Sequence, residues 1–366
     1  MLEQPVNAQA FHDPAYQRQV ADALDAALVR IHAQEAAEGA RALDLAADRY
    51  IIFSDLHRGA RNGADDFWRC ERAYNAALAY YLKLGHTLVT LGDVEELWEE
   101  RPKDVVRNYQ HSLRLEAQFH QRGRYARVWG NHDEDWSSAA DVERLLQPVF
   151  GETPLNVREG LRLRVMDAGQ HLGDLLLVHG HQGDTASDRW SKLSRWVVRV
   201  FWRNLQRLTH FSVNTPARNW QLREKHNIAL YKWAEGRQKT VLIAGHTHRP
   251  VFQSLSHMDK LKRQLADLEA QAGGADERRR EAVGHKAAEL EWVRAQEFQT
   301  PSEEETEPMG KPCYFNAGCC CFTDGDITGL EIVDGHIRLI RWPDRNGRPW
   351  PDVLESKPLR DVLAAC

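Results

Sequence analysis

Short apolar runs that stop abruptly in polar residues recur along the chain. Tyr50-Ile51-Ile52-Phe53 ends in Ser54-Asp55-Leu56-His57, Thr87-Leu88-Val89-Thr90-Leu91 in Gly92-Asp93, and Ala126-Arg127-Val128-Trp129 in Gly130-Asn131-His132-Asp133. Two later runs repeat the pattern: Leu175-Leu176-Leu177-Val178 leads into His179-Gly180-His181, and Thr240–Ala244 into Gly245-His246-Thr247-His248. Unbroken apolar runs of this length predict strands buried on both faces. Helical spacing fills Phe67–Leu84 and Asp104–Gln121, between the early runs. Upstream, Val20, Leu24, Leu28 and Ile31 step by one helical turn and predict a helix over 14–38. Strands alternating with helices predict an α/β layered fold whose site lies at the strand C-termini. From Tyr314 to Trp342 the chain alternates as strands, with Val333-Asp334-Gly335-His336-Ile337 a hairpin turn.

Two segments interrupt this grammar. Residues 185–238 hold 11 Lys and Arg against 3 Asp and Glu, and five Trp. Arg195, Arg199, Arg203 and Arg207 repeat every fourth residue, a basic stripe suited to an anionic, amphiphilic substrate or a membrane surface. Residues 257–297 predict a helical hairpin: Met258, Leu261, Leu265 and Leu268 run out, Gly273-Gly274 turns, and Val283, Ala287 and Leu290 return. It offers a surface for a protein partner or for self-association. The division expected is an N-terminal helical extension over 1–48 and one catalytic domain over 49–366, with helical insertions at 185–238 and 257–297.

Charge and composition narrow the function classes. The 366 residues carry a net charge of −5; with +8 in the 185–238 segment, the remainder carries −13, which disfavours nucleic acid as partner. Cys70, Cys313, Cys319, Cys320, Cys321 and Cys366 contain no CxxC pair and do not read as a secreted disulfide framework. The start has neither a basic n-region nor an apolar h-region, and no run approaches a membrane span. The expectation is a cytoplasmic protein, peripheral at the inner membrane face if the basic stripe binds lipid. The trio Cys319–Cys321 reads as buried packing, with a redox or metal role as the weaker alternative.

The unusual count is 17 His, and six of them stand at the strand ends. With Asp55, Asp93 and Asn131 they give a mixed imidazole and carboxylate set that suits two divalent ions such as Zn, Mn or Fe. Asp93 follows a glycine in a tight turn, where its carboxylate would bridge two ions. Such a pair polarises a phosphoryl oxygen and generates hydroxide at neutral pH.

Asp55-Leu56-His57, Gly92-Asp93-Val94-Glu95-Glu96, Gly130-Asn131-His132-Asp133, His179-Gly180-His181 and Gly245-His246-Thr247-His248 resemble, in order, the five signature blocks of calcineurin-like metallophosphoesterases. The resemblance implies a four-layer α/β/β/α sandwich with a dinuclear centre. In it Asp55, His57 and His248 hold the first ion and Asn131, His179 and His246 the second, with Asp93 bridging and a metal-bound hydroxide as nucleophile. His132 protonates the leaving oxygen or steadies the phosphate, and Asp133 orients that imidazole. In the fourth block His179, directly after the strand, is favoured over His181, which becomes a pocket residue. Glu96 fits the acid of the second block in a supporting role. Arg58, Arg61, Asn62 and Arg249 follow metal blocks and are candidates for substrate contact. The Asn316-Ala317-Gly318 turn is expected to close the second sheet.

Gly245–Pro250, Phe53–His57 and the long insertion after His179 also resemble UDP-2,3-diacylglucosamine pyrophosphatases of lipid A synthesis, whose inserted helices cover acyl chains. The chain departs from them at His132, where they usually place Arg. The expected activity is therefore divalent-metal-dependent hydrolysis of a phosphoester or pyrophosphate bond in a phosphorylated small molecule or lipid-linked substrate. The alternative is a cyclic-nucleotide or generic phosphodiesterase. A nuclease is a weaker reading, as is a non-catalytic scaffold using 257–297, because every block is retained.

Overall fold

The computed structural model describes residues 13–63, 65–184, 220–256, 310–345 and 347–366, together with 261, 262, 265, 283, 284 and 286–291. Helix α1 (Pro14–Glu38) matches the bounds its periodicity predicts. The Asp13 side chain accepts from the backbone N–H groups of Ala15 and Tyr16, Pro14 opens the first turn, and Gly39 at φ 95° ends it. Helices α2 (Glu71–Leu84), α3 (Pro102–Asn108) and α4 (Gln110–Gln121) lie where the early helical spacing places them. Helices α5 (Trp220–Glu235) and α6 (Leu359–Ala365) follow.

Two seven-stranded sheets are present among the described residues. The first runs β1 (Arg41–Asp44), β6 (Gly160–Asp167), β7 (Gln170–Val178), β8 (Thr240–Ala244), β11 (Tyr314–Asn316), β9 (Val251–Phe252), β10 (Leu255–Ser256). The second runs β16 (Asp352–Pro358), β13 (His336–Trp342), β12 (Ile327–Val333), β2 (Tyr50–Phe53), β3 (Thr87–Leu91), β4 (Tyr125–Val128), β5 (Val157–Arg158). A small ribbon pairs β14 (Asp344–Arg345) with β15 (Arg348–Pro349). The β2–β3–β4 and β7–β8 pairings are parallel. The predicted hairpin joins β12 to β13, with Asp334 and Gly335 both at positive φ as a two-residue turn requires.

Period-2 alternation sorts the strand side chains into three apolar layers. Ile51 and Phe53 of β2 face Tyr74, Leu78, Leu113 and Phe119 of α2 and α4. Ile52, from the same strand, joins Val89, Val128, Leu163, Leu175, Leu177 and Ile243 between the sheets. Leu176, Val178 and Leu242 pack outward against Leu24 and Ile31 of α1 and Leu230 and Trp233 of α5. The result is an α/β/β/α sandwich, and burial on both faces explains why its strands read as continuous runs.

The expected N-terminal extension is joined to the sandwich. Residues 41–44 form β1 beside β6, and α1 covers the first sheet. Of the basic insertion, residues 185–219, including the arginine stripe, lie outside the described residues; its end is α5. Of the expected hairpin at 257–297, Leu261 and Leu290 pack on each other with Leu265 against them, and most of the remainder lies outside the described residues. No described helix is long and apolar enough to cross a membrane.

Candidate metal centre

Each of the five runs delivers its polar residues where the strand gives way to a sharp turn. Asp55, His57, Asp93, His246 and His248 all adopt left-handed backbone, with φ between 49° and 66°. For a residue with a Cβ this conformation costs about 1–2 kcal/mol, tolerated where surrounding contacts over-determine it. Those contacts are present. Backbone N–H groups of Asp55, His57 and Arg58 donate to the carbonyls of Gly92, Asp93 and Val94, fastening the first loop to the second. Both Asp55 carboxylate oxygens accept from the His246 N–H, at 3.1 and 3.0 Å, tying the second sheet to the first. Gly130 and Gly245 admit no side chain: a Cβ would lie 2.2 Å from Asp93 Oδ1 in one case and 2.4 Å from Asp55 Oδ2 in the other.

Two donor groups are built wholly from the expected metal ligands. Asp55, His57 and His248 form one, and Asp93, His179 and His246 the other; within each, the ligand atoms lie within 4.8 Å of one another. Asp93 stands between them, with Oδ2 3.1 Å from His179 Nε2 and 3.8 Å from His57 Nε2. Ring orientation is set from behind. His179 Nδ1 donates to the Leu91 carbonyl at 2.9 Å, leaving Nε2 turned inward. His246 Nε2 is engaged by Asp184 at 2.9 Å, leaving Nδ1. One Glu96 oxygen, Oε2, accepts from both His57 Nδ1 at 2.9 Å and His132 Nδ1 at 2.7 Å, fixing two tautomers at once. The His132 ring also stacks on Trp98 at 3.9 Å, and Trp98 Nε1 donates to the Asn131 carbonyl.

The donor atoms fit cations. Asn131 Oδ1 is buried with no hydrogen-bond partner among the described residues, an expensive arrangement unless a ligand satisfies it, and His179 Nε2 faces the Asp93 carboxylate at 3.1 Å. Nitrogen faces nitrogen where His57 Nε2 meets His248 Nε2 at 3.1 Å. The charges agree. Burial by itself would lower the His57 imidazole, but the Glu96 hydrogen bond and the Asp93 charge outweigh it and raise it to about 10. His179, equally opposed by burial, is lifted by Asp93 and Asp55 to about 9. Burial pushes Glu96 up, yet His132 and His57 bring it down to about 2. Asp93, likewise opposed by burial, is held well below the carboxylate range by His179 and His132. The crevice therefore favours positive charge.

The calcineurin-like phosphoesterase family profile matches residues 49–250, more than half of the chain. The chain belongs to that family. It is a phosphoesterase hydrolase, and the family's chemistry is metal-dependent phosphoester hydrolysis. No curated protein matches it.

The phosphoesterase departs from the sequence reading at two residues. Asp133 does not orient His132. Its carboxylate accepts backbone N–H groups from Gly130 at 2.6 Å, Asp93 at 3.2 Å and Val94 at 3.0 Å, so it locks the second and third loops together. Arg58 does not reach into the crevice. It is fully buried, pairs with Glu116 and Glu95, and belongs with Arg127 to an ion cluster under the loops. Arg61 binds Glu71 through both carboxylate oxygens and lies over Tyr109, Asn62 donates to Glu100, and Arg249 pairs with Glu224. His181 lies 5.4 Å from His179, ring to ring; burial, with His179 and His246 nearby, holds it well below the usual imidazole range and so neutral. The donor group around Asp93 contains His179 and not His181. The Asn316-Ala317-Gly318 turn follows β11 of the first sheet, with Asn316 Nδ2 donating to the Gly245 carbonyl and Asn316 Oδ1 accepting from the Gly318 N–H.

Asp184 and Trp98 were not singled out from sequence. Neither sits in a signature block, although Asp184 follows the fourth by three residues and an acid there is a usable cue. The thiol of Cys321 lies 3.6 Å from His248 Nδ1, a contact that suits the weaker, metal-binding reading of the cysteine trio better than packing alone.

Proposed function

We propose that this phosphoesterase cleaves a phosphoester or pyrophosphate bond with two divalent ions held between its sheets. The observation that carries the reading is a pair of donor groups, one containing Asp93 and the other reaching within 3.8 Å of its Oδ2 at His57 Nε2, together with a buried Asn131 Oδ1 that has no hydrogen-bond partner among the described residues. Asp55, His57 and His248 would hold one ion, Asn131, His179 and His246 the other, and Asp93 both. Such ions, when bound, polarise a phosphoryl oxygen and supply a nucleophile at neutral pH. The oxygen and nitrogen donors suit manganese, iron or zinc.

The chain's own part in the chemistry centres on His132. Its Nδ1 proton is committed to Glu96 and its ring is fixed by Trp98, so proton exchange with a leaving oxygen falls to Nε2. His132 also favours the second reading, a cyclic-nucleotide or generic phosphodiesterase, because the resembling lipid pyrophosphatases usually carry Arg there. The basic segment 185–238 favours an anionic, amphiphilic substrate met at the inner membrane face. The likeness to UDP-2,3-diacylglucosamine pyrophosphatases supports a nucleotide-lipid pyrophosphate as that substrate.

The test is a Mn²⁺-supplemented screen of phosphomonoesters, cyclic nucleotides, nucleotide-diphosphate lipids and DNA. Turnover that depends on the ion is expected, highest on the nucleotide-diphosphate lipid. Replacing His132 with Ala should slow esters with poor leaving groups more than activated ones. Equal losses on both would remove the acid role.

A further inference from the structure

The loop after β11 presents sulfur to the back of a metal-ligand candidate. It is clamped to β12: the Cys319 N–H donates to Thr328 Oγ1 at 3.2 Å, and the Thr328 N–H returns to the Cys319 carbonyl at 3.0 Å. Gly318 makes the bend at φ 77°, where a Cβ would strike Thr328 and Pro250. Cys320 turns into the helix-side core, its thiol toward the Thr328 carbonyl. Cys319 and Cys321, one residue to either side, gather at the ring of His248. The Cys321 sulfur lies 3.6 Å from Nδ1. The three donor atoms lie within 4.8 Å of one another, with Cys319 buried and Cys321 half-exposed.

We infer that His248, Cys319 and Cys321 form a separate metal site for a soft, thiolate-binding ion of the Zn²⁺, Cd²⁺ or Cu⁺ class. One imidazole and two sulfurs select such ions over those that prefer oxygen donors. Cys320 shows what packing alone asks of a cysteine in this loop, and it points the other way. Three protein donors leave a fourth position open, on the side that Cys321 exposes. The consequence for activity rests on the proposed catalytic reading. His248 Nε2 stands 3.2 Å from Asp55 Oδ1, so an ion on Nδ1 shares the ring with the first ion of that centre.

The test titrates Cd²⁺ alone into the reduced, metal-free full-length protein and reads the ultraviolet thiolate-to-cadmium charge-transfer absorption. The band is expected to saturate at one equivalent, to vanish in the Cys319→Ser/Cys321→Ser double variant, and to fall strongly in Cys321→Ser, whose half-exposed position spares the core. Circular dichroism checks that each variant is folded. Asp55→Asn, which removes a donor from the catalytic centre and leaves all three donors of the thiolate site in place, should keep the band. If that variant also keeps full hydrolysis, the catalytic reading falls while the thiolate site stands. No band in the wild type, a band undiminished in the folded double variant, or its loss in folded Asp55→Asn would overturn the site.

Discussion

Glu96 carries more of the site than its neighbours in sequence suggest. A single oxygen, Oε2, accepts from His57 and His132, so one side chain orients a metal-ligand candidate and the candidate acid together. Glu96→Gln replaces that acceptor with a group that cannot serve both rings as an anion. It should cost about 10–100-fold in metal affinity or turnover, the usual effect of removing a group that orients a ligand. Metal titration and steady-state kinetics read it, and an unchanged variant would dismiss the role. The raised imidazoles make a pH prediction of definite sign. His57 near 10 and His179 near 9 both stand above the ordinary 6.5. Their protons thus stabilise the metal-free fold fully below about 6.5, and that contribution is lost as pH rises through 9 and 10. Bound ions replace the protons, so metal affinity rises with pH and the loaded protein is less sensitive. Denaturation midpoints with and without chelator test this; a metal-free protein that gains stability between neutral pH and about 10 would contradict it.

At the scale of elements, the loops after β2, β3 and β4 rest on a buried ion cluster. Arg58 and Arg127 face Glu95 and Glu116, with Trp136 donating to Glu95 and Tyr74 and Tyr125 donating to Glu116. Removing one partner strands a buried charge. Arg58→Met should therefore destabilise the fold by about 3–5 kcal/mol, with KM unchanged in the molecules that remain folded. A raised KM at unchanged stability would return Arg58 to substrate binding. The same cluster shows what sequence could convey. Strands covered on both faces announce themselves as apolar runs, and the residues after them fell at the site. Which acid reaches His132 depends on how loops approach. Glu95 and Glu96 are adjacent, yet one enters the ion cluster and the other the crevice, while Asp133, next to His132, turns to the backbone. The edge strand β1 was equally hidden, because its four residues, Arg41–Asp44, show no run and gain their place only by pairing with β6.

For the whole molecule, the ligand candidates come from both sheets: Asp55, His57, Asp93 and Asn131 follow strands of the second, and His179, His246 and His248 follow strands of the first. Ions bound there would join the two halves, so their binding energy would add to the stability of the sandwich. Asp93 is the residue on which this convergence turns. The decisive measurement is the metal content and turnover of purified wild type and Asp93→Asn, with and without excess chelator. Wild type should hold about two divalent ions, lose turnover when they are stripped and regain it when they return, and Asp93→Asn should lose nearly all turnover. Hydrolysis at the full wild-type rate in excess chelator, or by Asp93→Asn, would contradict the account.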